Sequence, residues 1–291
     1  MSAKPLAPVA RVAPQASDTK QAQHSAVDAR RWLARLRHLQ PLLWFALAWV
    51  LLGGVWELAV AQGWLDGRIL PPPSVTLPYA FSGEASVGFG QQRTGLLAST
   101  LLTLSRVTTG LTLGVAAALL LSVLIAEQRW LRRLVLPLVQ SLAPIAPVAW
   151  VPFTIAVIGI GGPAAVFIVF LAVTTSMTLS LVAALDGMDP QYLKLARNLR
   201  ASPLQRWLRV RLPAIAPSAL TSLRMAFFGA WMAVLAGEMA GINSGLGYLI
   251  IMAQQMYNMP LVMVGVITIG AVGFTVDRVL LLGQRLVAWQ S

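Results

Sequence analysis

Four ionisable residues stand inside, or at the edge of, otherwise apolar sequence: Glu57, Arg106, Arg224 and Glu238. A charge in a bilayer is costly and is as a rule paired or functional. Glu57 and Arg106 lie at similar depths from the outer ends of their segments, counting about 1.5 Å per helical residue. A structural Glu57–Arg106 ion pair is therefore expected. Arg224 falls near the middle of its segment, and no acid in the apolar segments matches its depth. Its partner is then either backbone carbonyl groups of a broken neighbouring segment or an anion passing through the protein.

Other chemistry is poorly provided for. The patterns G-x-x-x-x-G-K-S/T, H-E-x-x-H and G-x-S-x-G do not occur. With no cysteine there is no thiol chemistry. The two histidines, His24 and His38, precede the first apolar segment and have no metal-ligand companion. No catalytic residue and no metal site is expected.

The elements that position the four charges follow from composition. Of 291 residues, 57% are hydrophobic and 11% charged. The apolar residues come in blocks of about twenty or more, the length that crosses a bilayer as a helix. Six such segments are read, at about 41–61, 98–126, 134–160, 164–185, 214–237 and 261–283. The fold class is all-α membrane protein with six transmembrane helices. Gly110 and Gly114 in the second segment form a small-xxx-small pattern that permits close helix contact. Asp277 and Arg278 lie near the end of the sixth.

The third segment holds Pro137, Pro144, Pro147 and Pro152. Four prolines exclude a straight helix, and broken backbone at membrane depth is tolerated only inside protein or beside a water-filled cavity. Either a kinked core helix or a wall of a translocation path fits. On the second reading Pro144, Pro147 and Trp150 join Arg224 and Glu238 as candidate path residues.

The loops carry the orientation. Residues 1–40 are read as an N-terminal tail, disordered to about residue 29, followed by a basic amphipathic segment with Arg30, Arg31, Arg35 and Arg37 on the inner membrane face. Residues 41–291 form the transmembrane domain. The loop at 62–98 contains Pro71-Pro72-Pro73, and a short helix within it is compatible with the sequence. Of the 22 lysines and arginines, only Arg68 and Arg93 fall in the loops opposite the tail, against Asp66, Glu84 and Glu238. Positive charge marks the cytoplasmic side, so both termini are expected there. The net charge of +12 is thus an orientation signal rather than a nucleic-acid footprint.

One cytoplasmic loop, 186–213, is more than solvated charge. Asp189-Pro190 is an N-cap followed by proline at the first helical position. Tyr192, Leu195 and Leu199 then share one helical face. Ser202-Pro203-Leu204-Gln205 reads as a second start with a capping box. Two short helices joined at Ala201-Ser202 are expected, the second ending at Pro213 near Leu212.

This loop resembles the signature of ABC-importer permease subunits, E-A-A-x3-G-x9-I-x-L-P. The frame here runs Lys194, Leu195, Ala196, Arg200, Val210, Leu212 and Pro213. Lys194 stands for the usual glutamate and Arg200 for the usual glycine, so the turn lacks glycine's freedom at positive φ. Pro71-Pro72-Pro73-Ser74, Ser105-Arg106, the run Pro144 to Pro152, Leu223-Arg224, Trp231, Glu238 and Gly245-Leu246-Gly247-Tyr248 extend the match. Together they are similar to the nitrate/sulfonate/bicarbonate/taurine type of permease.

The resemblance implies an ABC type I importer permease fold with cytoplasmic coupling helices, in the bacterial inner membrane. Two copies would form the pathway. Two ATPase subunits would dock on the loops, at Tyr192, Leu195, Ala196, Leu199, Arg200, Ala201, Ser202, Leu212 and Pro213. A periplasmic or lipid-anchored binding protein would deliver a small anion. No cofactor is expected in this chain, ATP and magnesium being held by the ATPase. Arg200 and Pro163-Ala164-Ala165-Val166-Phe167 resemble the nitrate/bicarbonate branch. Asn243 to Tyr248 resembles the sulfonate/taurine branch. A secondary anion transporter working alone is the competing reading; it would ordinarily show two similar halves and intramembrane acids for coupling ions.

Overall fold

A computed structural model describes residues 43–82, 85–87 and 94–288, with side chains to residue 284. The expected tail and its basic segment lie outside the described residues, as do Glu84 and Arg93. The chain divides into two compact units at Trp64–Leu65, each described by itself. In the first, α1 (Leu43–Ala61) is an apolar helix of 19 residues. Phe45 and Trp49, one turn apart on it, meet edge to face.

The second unit opens with α2 (Pro73–Phe81). Proline at its first position has the φ that a helix needs and lacks only an N–H that would be unpaired there. A minimal antiparallel pair, β1 (Ser86–Val87) and β2 (Thr94–Gly95), leads into α3 (Leu96–Glu127). Then come α4 (Arg129–Leu142), a 3-10 turn (Pro147–Trp150) and α5 (Val151–Ile158). α6 (Gly162–Asp186) is followed by α7 (Pro190–Asn198) and α8 (Pro203–Arg206). A π-helical turn (Trp207–Arg211) joins α8 to α9 (Leu212–Ala240), and α10 (Leu246–Gln255) and α11 (Met259–Ala288) are the last of the described elements.

Among the described residues five helices are long and apolar enough to cross a membrane. The count reaches six when the proline-rich segment is taken as one broken span: α4 and the helical stretch Pro147–Ile158 meet at 99°. Pro147 opens the 3-10 turn and Pro152 sits in the first turn of α5, so both occur where an N–H is expendable. Gly159 (φ 95°) and Gly161 (φ 145°) then reverse the chain into α6, at backbone angles that side chains disfavour.

α6 is central. In lipid, helices gain little from hiding apolar surface from each other and associate through close packing. Gly110 and Gly114 of α3 supply it. A Cβ on Gly110 would stand 2.6 Å from Val169 Cβ and 2.9 Å from Val166 O, and one on Gly114 would stand 2.7 Å from Val173 Cβ. α6 also meets α9, with Ala164 and Ile168 buried in one cluster with Phe227, Ala230, Trp231 and Val234. Phe227 and Trp231 stack at 6.0 Å.

Candidate functional site

Three constellations stand out in the second unit: the loop between α6 and α9, a buried polar cluster at the opposite end, and a cavity at the bend.

The loop forms as its caps dictate. Asp189 accepts from Gln191 N at 2.8 Å, and Ser202 and Gln205 make a complete capping box (Gln205 N to Ser202 Oγ 3.3 Å; Ser202 N to Gln205 Oε1 2.9 Å). Between them α7 ends in a Schellman turn. Arg200 N donates to Arg197 O at 2.9 Å and Ala201 N to Ala196 O at 3.0 Å. Arg200 takes the left-handed position of that turn, φ 51°. The conformation glycine would favour is thus adopted without glycine, because two backbone bonds and the Ser202 cap fix both sides of it.

Pro213 does not end the second helix as expected. Helix continues from Pro203 to Ala240. The π turn is the reason: Leu212 N bonds Trp207 O, five residues back, and Pro213, which has no N–H to offer, follows directly in the first turn of α9.

Tyr192, Leu195, Ala196, Leu199, Ala201 and Pro213, all singled out from sequence, line one open groove of about 750 Å³ with Gln205, Arg209 and Val210. Leu199 is 74% exposed, and Tyr192 and Leu195 are also exposed. Arg200, Ser202 and Leu212 do not line the groove; the first two set the turn. Polar ties fix the loop's base. Glu127, at the end of α3, accepts from Trp207 Nε1 at 2.7 Å and pairs with Arg211. Arg211 also lies 4.4 Å from the centre of the Trp207 ring. Arg132 of α4 grips Asp186 of α6 with both terminal guanidinium nitrogens.

At the far end of α9, Glu238 is 1% exposed and Arg106 of α3 is 8% exposed. Arg106 Nη1 donates to Glu238 Oε1 at 2.8 Å and to Ser244 O at 2.8 Å. The Thr103 hydroxyl lies 2.9 Å from both Glu238 oxygens, and Gly247 N donates to Oε2 at 3.0 Å. Leu246 N donates to Thr103 Oγ1 at 2.8 Å. The loop wraps so closely that a Cβ on Gly245 would stand 2.1 Å from Glu238 Oε1. The expected Glu57–Arg106 pair is corrected: Arg106 pairs with Glu238. Depth along two segments was a sound criterion, but helix neighbours decide between candidates of equal depth. Glu238 is also not a loop residue, since α9 runs on to Ala240.

Arg224 requires a second correction. It has an acid at its depth, Asp277 of α11: Nε and Nη2 bond the two carboxylate oxygens, the latter at 2.9 Å. α9 and α11 run antiparallel, and the two residues stand at comparable distances from the loop-side ends of their helices. That signal was in the sequence but was masked by placing Asp277 at the end of its span. Gln284 Nε2 to Leu220 O, 2.6 Å, ties the same helices one step nearer the loop.

The cavity measures about 240 Å³. Ala143, Ile145 and Pro147 of the bend, Ala172, Thr175, Ser176 and Ser180 of α6, and Ser222, Met225, Ala226 and Gly229 of α9 line it. Of the candidate path residues, only Pro147 reaches it. Pro144 lies within the bend, Trp150 packs edge to face on Phe153, and Arg224 and Glu238 are held elsewhere by their partners.

Residues 110–288 match the family described as binding-protein-dependent transport system inner membrane component. A probable ABC transporter permease protein of Brucella abortus (strain 2308) is 34% identical over 82% of this chain and 92% of its own length. The bicarbonate transport system permease protein of Synechocystis sp. is 29% identical, over 88% of this chain and 91% of that one. The nitrate import permease protein of Synechococcus elongatus is 25% identical over 91% and 96%. Among solved structures, an inward-facing MetNI methionine ABC transporter superposes with a TM-score of 0.55 at 20% identity, covering 65% of this chain and 92% of that one. At that identity the likeness speaks for the fold, that of type I ABC importer permeases.

Proposed function

The chain belongs to the binding-protein-dependent transport system inner membrane components, the permease subunits of ABC importers, and we propose that it carries a small oxyanion inward and is driven through the loop at 186–213. The observation that carries the coupling part is the apolar groove at that loop. Tyr192, Leu195 and Leu199 leave large apolar surface exposed on an otherwise charged segment. Contiguous exposed apolar surface rimmed by polar residues marks an interaction site, and the family's partner on this side is an ATPase. Both termini and this loop are cytoplasmic in this reading, from the distribution of basic residues.

In this reading two copies of the chain enclose the pathway, and two ATPase subunits seat on the two loops. ATP and magnesium bind the ATPases, whose closure moves the loops. Because α8, the π turn and α9 are one continuous helix, displacement of the loop is displacement of a spanning helix. A binding protein delivers the anion to the outer face, and the bend between α4 and α5 forms a wall of the path. The relatives named for bicarbonate and nitrate transport support a small oxyanion as cargo.

The test is purification of the tagged chain in mild detergent from its native membranes, with ATP hydrolysis as readout. Wild type is expected to bring an ATPase with it. Tyr192→Asp with Leu199→Asp should lose that ATPase while the permease itself is made and extracted normally. Full retention of the ATPase by the double variant would overturn the docking role.

A further inference from the structure

The cavity at the bend has an unusual lining for a protein that carries anions. Among the described residues its polar side chains are hydroxyls alone: Thr175, Ser176 and Ser180 on α6 and Ser222 on α9. The nearest intramembrane cation along α9, Arg224, is two residues from Ser222 and so on the opposite face, where its Nε and Nη2 bond the Asp277 carboxylate. We propose that this cavity is a transit subsite that takes a small oxyanion on the hydroxyls of Thr175, Ser176, Ser180 and Ser222, with no fixed positive charge. The inference rests on the importer reading above and adds the chemistry of the path.

The hydroxyls are poised for this use. Thr175 donates to Leu171 O at 2.8 Å, Ser176 to Ala172 O at 2.8 Å and Ser180 to Ser176 O at 3.0 Å. These carbonyls lie within α6 and serve its helical ladder as well. A hydroxyl that rotates toward the cavity therefore orphans nothing, since each carbonyl keeps its helical N–H. The donors are held in reserve at little cost, and several neutral dipoles share the incoming charge. A permeation site must bind well enough to admit its ion and weakly enough to release it. An arginine on this wall would satisfy the first condition and work against the second. Pairing Arg224 with Asp277 on the far face of α9 keeps the nearest cation from doing so.

The experiment uses the whole importer, with its ATPase and binding protein, in vesicles, and follows uptake of nitrate, bicarbonate and taurine together with ATP hydrolysis. Thr175→Val with Ser222→Ala removes two hydroxyls at nearly constant volume. Anion uptake per ATP hydrolysed should fall about tenfold, the scale of a lost hydrogen bond to a charged group, with hydrolysis itself little changed. Thr175→Ser with Ser222→Thr keeps both hydroxyls and should retain uptake. Uptake unchanged in the first variant, or lost equally in both, would overturn the subsite while leaving the importer reading intact. A wild-type complex that hydrolyses ATP but moves none of the three oxyanion-bearing solutes would overturn the importer reading's cargo, and the subsite with it.

Discussion

Arg106 and Arg224 find their acids 132 and 53 residues away along the chain. The sequence made both arginines conspicuous, because charge in an apolar segment is rare, but not their partners, which depend on which helices are neighbours. The two pairs differ in burial, and so in what breaking them does. Glu238 and Arg106 are almost wholly enclosed. Glu238→Ala leaves Arg106 buried without its counter-ion and should destabilise the protein by about 3–5 kcal/mol, the usual cost of stranding one member of a buried pair. Glu238→Gln retains the shape and, with its one carbonyl oxygen turned to them, the bonds from Thr103 and Gly247, but it sets an amide N–H against Arg106, so its stability should fall between those of Glu238→Ala and wild type. Thermal unfolding in detergent ranks the two, and equal stability of Glu238→Ala and wild type would rule out a structural role for the pair. Arg200 makes the opposite case. It holds a left-handed angle that a non-glycine residue adopts at a cost of about 1 kcal/mol. Arg200→Gly should therefore stabilise α7 and its turn, seen as slower proteolysis at the loop. Faster cleavage there would mean that the arginine side chain itself holds the turn.

Among the elements, those with strong local signals were legible. Asp189-Pro190 and Ser202 to Gln205 announced both short helices through their caps, and Gly110 with Gly114 announced a close helix contact, though not that α6 makes it. The join between α8 and α9 was not legible. Pro213 reads as a stop, and a π turn that accommodates it has no sequence signal of comparable strength. What holds that turn is Glu127, which takes the Trp207 indole N–H and the Arg211 guanidinium together. Glu127→Gln should leave the ATPase bound, since the residue is not part of the groove, but loosen the tie between the turn and α3. The expected outcome is ATP hydrolysis near wild type with transport lowered several-fold, and partial recovery when Glu127→Arg is combined with Arg211→Glu. Transport and hydrolysis both unchanged in Glu127→Gln would show that the tie plays no part in coupling.

For the whole molecule, five of the six segments read from hydropathy are helices long and apolar enough to cross, because about twenty apolar residues per bilayer is a physical length. The four prolines correctly foretold a break in the third segment, but not the 99° turn or its position between α4 and the Pro147–Trp150 turn. The cavity there was hidden for a further reason. Its hydroxyls are ordinary residues of apolar helices, and no spacing rule separates Thr175 and Ser222 from serines and threonines that only bond their own helix. The charges are the conspicuous residues instead, and the two arginines among them are neutralised within the protein, Arg106 by Glu238 and Arg224 by Asp277.

The helix from Pro203 to Ala240 has 38 residues, a rod of about 57 Å at about 1.5 Å per residue. It is tied to α3 near both ends: Glu238 is held by Arg106 and Thr103 at one, and Trp207 and Arg211 are held by Glu127 at the other. A rod held to its neighbour at two points some way apart does not pivot against it. A stroke delivered at the loop would therefore carry α3 along with α9, two spanning helices moving as one crank whose handle is the loop.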